Sequence, residues 1–82
     1  MTAPDFREWL DARDEGSRAE RKAFRADTMH AIRRLAAQGA RYFRATWVRA
    51  YGLKWFCLEG WRERPSDRAP PPTVADVPVG FE

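Results

Sequence analysis

The chain has 82 residues, a net charge of +3 and one cysteine, Cys57. This length allows one domain at most, and a lone cysteine excludes a disulfide within the chain, which suits a reducing compartment. The sequence has no run of about 18 uncharged apolar residues and no basic N-terminus followed by an apolar segment, so we expect neither a transmembrane helix nor a secretory signal. We therefore expect a cytoplasmic protein, and the excess of arginine over lysine indicates a bacterial or phage genome.

Charge is distributed unevenly along the chain. Residues 1–20 carry six acids and three arginines, and residues 59–82 carry five acids and three arginines. Residues 21–58 carry nine cations and one acid, a net charge of +8, together with seven aromatic side chains. A basic middle of this kind attracts nucleic acids, acidic proteins or anionic lipid.

The N-terminal segment is predicted to form a short acidic helix. Residues 2–5 match a capping box, in which the first and fourth residues satisfy each other's backbone donors. Phe6, Trp9 and Leu10 then follow at the spacing of one narrow helical stripe, which runs to about Asp14.

A second capping box, formed by Ser17 and Glu20, predicts the start of a basic amphipathic helix. An apolar stripe with helical period runs from residue 24 to residue 35 and continues in phase through Gly39 to residue 50. The unbroken phase favours one long helix, whereas the usual length of helices favours two helices separated at Gly39.

The C-terminal third changes in composition. Residues 53–58 are apolar on nearly all sides, which predicts the last turn of a helix that ends at about Glu59 before Gly60, with a short extended segment as the alternative. From Pro65 onwards, five prolines exclude a helix, and the Pro70–Pro72 run is typical of polyproline II. We expect this segment to be mobile when no partner holds it.

Together these elements predict an all-α fold. A short acidic helix and one long or two shorter basic amphipathic helices would form a small helical domain over residues 1–62, followed by an extended or disordered proline-rich tail over residues 63–82. Such a small core is marginally stable alone, so a partner or self-association is expected to contribute stability.

The residues that catalysis or metal binding needs are scarce. His30 is the only histidine and Cys57 the only cysteine, so the chain offers two nitrogen or sulfur ligands where zinc needs about four. A Cys–His pair is conceivable, but a surface histidine and a small buried cysteine are the simpler interpretation. The glycines are scattered and form no phosphate loop. We therefore expect no enzyme, no metal and no cofactor.

The sequence is best interpreted as an accessory protein that docks on a larger protein assembly. Its contacts would be an aromatic and basic helical face over residues 41–61 and the C-terminal tail. The residues expected to bind the partner are Arg41, Arg44, Trp47, Arg49, Tyr51, Trp55 and Trp61. A permanent subunit and a viral inhibitor of a host complex fit this hypothesis equally well.

Two alternatives use the same basic middle. A small regulator that binds nucleic acid would contact phosphates through Arg21, Lys22, Arg25, Arg33, Arg34, Arg41 and Arg44. A peripheral protein on an anionic membrane would lay a basic amphipathic helix over residues 40–61 on the lipid surface.

Overall fold

The structure, a computed structural model, describes residues 1–12 and 16–78 and has an α+β fold. Its elements are strand β1 (Phe6–Asp11), helix α1 (Arg18–Ala37), strands β2 (Tyr42–Ala50) and β3 (Leu53–Trp61) and a single 3₁₀ turn (Val74–Asp76). The predicted all-α fold is therefore wrong. The segment predicted as the first helix is a strand, and Asp14, its predicted end, lies outside the described residues.

The three strands form one antiparallel sheet in the order β1-β3-β2. The last strand in the chain thus lies in the middle of the sheet. β1 pairs with it from Phe6 opposite Gly60 to Asp11 opposite Trp55. β2 pairs with its other side from Tyr42 opposite Trp61 to Ala50 opposite Leu53.

Helix α1 begins where the second capping box predicted. The Ser17 hydroxyl accepts the Glu20 N–H at 3.0 Å, and the Glu20 carboxylate accepts the Ser17 N–H at 3.1 Å. The helix ends at Ala37, and Gly39 follows with a φ of 112°, a conformation that side chains other than glycine rarely adopt. One long helix through Gly39 is therefore wrong, and so is a second helix after it.

Residues 42–61 form a β-hairpin, which corrects the helical face predicted over residues 41–61. Tyr51 and Gly52 make the turn with φ values of 57° and 74°. Positive φ at both central residues is typical of the type I′ turn, whose twist matches that of the flanking strands. The amphipathic helix over residues 40–61, on which the membrane alternative depended, does not form.

One face of the sheet packs against α1. Ala31 and Leu35 of the helix contact Phe56 and Leu58 of β3, and partly buried aromatic residues surround this cluster. The helix lies over β1 and β3 and makes no close backbone approach to β2 within the described residues. On the side of the sheet that faces the helix, the surface of β2 is therefore only partly covered.

Residues 65–78, which we call the C-terminal segment, cover part of the other face of the sheet. Val77 is buried against Val48 and Ala50, beside Trp9 and Trp55. The N-terminal residues also bond to residues 67–69, because the Thr2 N–H donates to the Asp67 carbonyl at 2.6 Å and the Ala69 N–H donates to the Thr2 carbonyl at 3.0 Å. β3 ends at Trp61, next to the predicted boundary at residue 62, but the segment that follows packs onto the same sheet.

Candidate interaction surface

A shallow groove lies between α1 and β2, and we call it the α1–β2 groove. It has a volume of about 240 Å³ and is lined by Arg21, Phe24, Arg25 and Trp47. The first three residues belong to the first two turns of the helix, and Trp47 comes from the middle of β2. The groove exists because α1 covers only two of the three strands.

Trp47 is the aromatic residue that this groove presents to solvent. It is 47 % exposed, although its ring packs against Phe24 at 5.6 Å and Phe56 at 4.8 Å between centroids. The Lys54 ammonium lies 4.5 Å from the centre of the same ring, a cation–π contact. Trp47 is thus held in place by its neighbours while nearly half of its surface stays accessible.

Cations surround this aromatic residue. Arg21 and Arg25 lie in the groove itself, and Arg49, two residues further along the same face of β2, is exposed. An exposed tryptophan among guanidinium groups combines a large apolar contact with charge, the composition that dominates binding hot spots. The groove can therefore take an apolar or planar group that carries negative charge beside it.

The residues predicted to bind a partner occur in two different environments. Trp47, Arg41, Arg49 and Tyr51 are exposed. The other three belong to the packed interior on the tail side of the sheet: Trp55, Trp61 and Arg44. Trp61 is only 1 % exposed, and the guanidinium groups of Arg44 and Arg68 lie 5.2 and 5.1 Å from its ring centre.

The basic residues predicted to contact nucleic acid are also divided. Five of them are exposed and make no ion pair among the described residues: Arg21, Lys22, Arg25, Arg33 and Arg41. Arg34 pairs with Glu8 of β1, and Arg44 pairs with Glu59. The structure thus brings together Arg21 and Arg25, which were predicted to contact nucleic acid, and Trp47, which was predicted to bind a partner protein.

A buried cluster of charges was missed by the sequence interpretation. Glu59 of β3 is 0 % exposed and lies between two arginines. Arg44 donates to its carboxylate at 2.9 Å through Nε, and Arg7 donates at 3.1 Å through Nη2. Arg44 also donates to the Ala69 carbonyl at 2.8 Å, which ties the C-terminal segment to the cluster. A lone acid inside the apolar run 53–61 was the signal that could have revealed it.

The two residues considered for nucleophilic chemistry are not brought together. His30 is exposed on α1, whereas Cys57 pairs with Trp9 and Thr46 and lies on the tail side of the sheet. Burial is the main cause that raises the pKa of the Cys57 thiol to about 11, and the neighbouring Glu59 carboxylate contributes to the same rise. Within residues 1–12 and 16–78, no three histidine, cysteine or acidic side chains gather in a way that could hold a metal ion.

The raised pKa of Cys57 predicts a loss of stability at alkaline pH. The folded chain keeps a proton that the unfolded chain loses above about pH 9, so the stability linked to this thiol falls as pH rises from about 9 to about 11. Two pKa units correspond to roughly 2–3 kcal/mol. Urea unfolding across this range should show a smaller decline for Cys57→Ala than for the wild type, and equal slopes would contradict the prediction.

No protein-family model, curated protein or solved structure matches the chain. Among the described residues, no helix is both long enough and apolar enough to cross a lipid bilayer.

Proposed function

We propose that this protein is a non-enzymatic interaction protein that binds an acidic surface of a larger protein through the α1–β2 groove. The observation that carries the proposal is that Trp47 is 47 % exposed in a groove that Arg21 and Arg25 also line. Burying the exposed part of an indole ring in an interface contributes binding energy, and the arginines select a partner of opposite charge.

The proposed surface is smaller than the one predicted from the sequence. Trp55, Trp61 and Arg44 stabilise the fold instead of facing a partner. The C-terminal segment covers the sheet, so the proposal does not use it as a second contact. We also propose that the protein is cytoplasmic, because a chain with one cysteine forms no internal disulfide and gains no stability from an oxidising compartment.

Capture experiments with a matched pair of charge reversals test this proposal. Arg25→Glu places a negative charge in the groove, whereas Arg33→Glu makes the same change at an exposed helical position that does not line it. From a nuclease-treated extract of the source organism, the wild type and Arg33→Glu should capture the same acidic protein. Arg25→Glu and Trp47→Ala should each reduce capture by at least about tenfold, which corresponds to 1.4 kcal/mol.

Melting curves of each variant must accompany the capture, because Trp47 also packs against Phe24 and Phe56. Arg25→Glu carries the decisive result, since Arg25 is exposed and makes no hydrogen bond or ion pair among the described residues. Equal capture by Arg25→Glu and Arg33→Glu would contradict the proposal.

Single-stranded nucleic acid is the second candidate partner. The observation that favours it is again the exposed ring of Trp47 among cations, because a base can stack on the ring while arginines contact phosphates. Fluorescence titration with oligonucleotides at low and near-physiological salt tests it. Binding that quenches tryptophan, weakens steeply with salt and is lost in Trp47→Ala would support this second candidate.

A further inference from the structure

Strand β2 forms an open edge of the sheet. In an antiparallel sheet, each residue of the central strand directs its N–H and C=O toward one neighbouring strand. The Ala12 N–H donates to the Lys54 carbonyl at 3.0 Å, so Lys54 and every second residue after it face β1. The alternate residues Trp55, Cys57, Glu59 and Trp61 therefore direct their backbone N–H and C=O groups toward β2.

The same alternation fixes which backbone groups of β2 point outward. The residues opposite Trp55, Cys57 and Glu59 are Val48, Thr46 and Arg44, and these form the ladder with β3. The intervening residues direct their N–H and C=O groups away from the sheet: Phe43, Ala45, Trp47 and Arg49. No backbone hydrogen bond reaches these four residues from any other described part of the chain.

Nothing described in the chain covers this edge. Helix α1 lies over β1 and β3, and the C-terminal segment packs against Val48 and Ala50 on the opposite face. Soluble proteins commonly protect open edges with proline, bulges or short strands. β2 instead runs for nine residues and contains neither proline nor glycine.

We propose that an extended acidic segment of the partner protein adds to β2 as a fourth strand. This inference rests on the proposed function and specifies how the partner binds. The backbone of the segment would pair with the outward groups of Phe43, Ala45, Trp47 and Arg49. Side chains on the helix side of the added strand would then lie over the α1–β2 groove, beside Arg21 and Arg25.

The charges and the backbone together favour this occupant. A second copy of the chain paired through its own β2 would bring two sets of exposed arginines, Arg21, Arg25 and Arg49, to one interface, where like charges repel. The phosphates of a nucleic acid would pair with the arginines, but a nucleic acid lacks the alternating backbone N–H and C=O groups that pair with a strand edge. An acidic peptide offers both the negative charge and the backbone ladder.

The test uses peptides selected from a random display library for binding to the full chain, with peptides long enough to span the nine residues of β2. Selected peptides should be acidic. Residue-resolved amide exchange should show new protection at Phe43, Ala45, Trp47 and Arg49 when peptide is bound. N-methylation of alternate peptide residues should weaken binding at least about tenfold in one register and much less in the other.

A substitution in β2 gives an independent measurement. Ala45→Pro removes an outward donor that β3 does not use, and proline is tolerated on sheet edges, so the fold should persist. It should abolish peptide binding, whereas Ala45→Val, which keeps the N–H, should not. If Ala45→Pro fails to fold, the N-methylated peptides carry the same test.

Other outcomes would overturn the inference in distinguishable ways. Acidic peptides that bind in a manner sensitive to Arg25→Glu but leave the edge amides unprotected would retain the proposed function and exclude strand addition. Edge amides already protected in a dimeric chain without peptide would assign the edge to a second copy. Failure to select any peptide, combined with salt-dependent oligonucleotide binding, would overturn both proposals.

Discussion

Glu59→Gln is expected to lower the free energy of unfolding by about 3–5 kcal/mol, the usual effect of removing one partner from a buried ion pair. Glu59 is fully buried, and its carboxylate accepts hydrogen bonds from both Arg44 and Arg7. Glutamine keeps the shape of the side chain but leaves two positive charges without their counter-ion. Since a core of this size provides only about 3–5 kcal/mol, much of the variant should be unfolded at room temperature.

Urea unfolding followed by far-UV circular dichroism measures this effect. Glu63→Gln is the matched control, because Glu63 is exposed and makes no ion pair among the described residues. Replacing the whole cluster with apolar residues (Glu59→Leu, Arg7→Leu and Arg44→Met) should restore much of the lost stability. A midpoint for Glu59→Gln close to that of Glu63→Gln would show that the cluster contributes little.

Truncation after Arg64 is expected to prevent stable folding. The truncated chain lacks Val77, which fills the cluster beside Val48, and it lacks the Ala69 carbonyl that Arg44 contacts. It also lacks Arg68, which lies over the Trp61 ring. The loss therefore combines apolar burial, a charged hydrogen bond and a cation–π contact on one face of a marginal sheet.

Point variants in the full chain separate packing from chain length. Val77→Asp places a charge in a buried apolar cluster and should reproduce much of the effect, whereas Val74→Ala changes a side chain that is exposed in the 3₁₀ turn and should be nearly neutral. The melting temperatures of the truncated chain and of both point variants measure these effects, with light scattering as a check on association. A truncated chain with a cooperative transition near that of the full chain would mean that residues 65–78 are dispensable for the fold.

The fold was mispredicted because both faces of the sheet are covered. A half-exposed strand alternates apolar and polar residues, but a strand covered on both faces loses this signal. In β1, Phe6 and Leu10 face the helix while Trp9 faces the C-terminal segment, and together they imitate a helical stripe. The capping box at Ser17 was predicted correctly because it depends on local backbone bonds alone.

The surface was only partly predictable for the same reason. Trp47 was predicted to bind a partner from its type and its basic neighbours, and the structure shows only that its ring is exposed. Trp55 and Trp61 look alike in sequence, but Val77 packs beside the first and Arg68 lies over the second only because the chain after β3 folds back onto the sheet, which local patterns do not report. The sequence also could not place Arg21 beside Trp47, because that proximity depends on how α1 crosses the sheet.

The central position of β3 sets the order in which the molecule can assemble. The β2–β3 hairpin needs only a short local turn and can form within microseconds. β1 is the first of the three strands to be synthesised, but it pairs only with β3, so it stays unpaired until β3 has been made. Closing this long loop makes the docking of β1 the slow, entropically unfavourable step of folding. Until then the hairpin exposes the edge of β3 that β1 later occupies, and in this interval aggregation competes with folding.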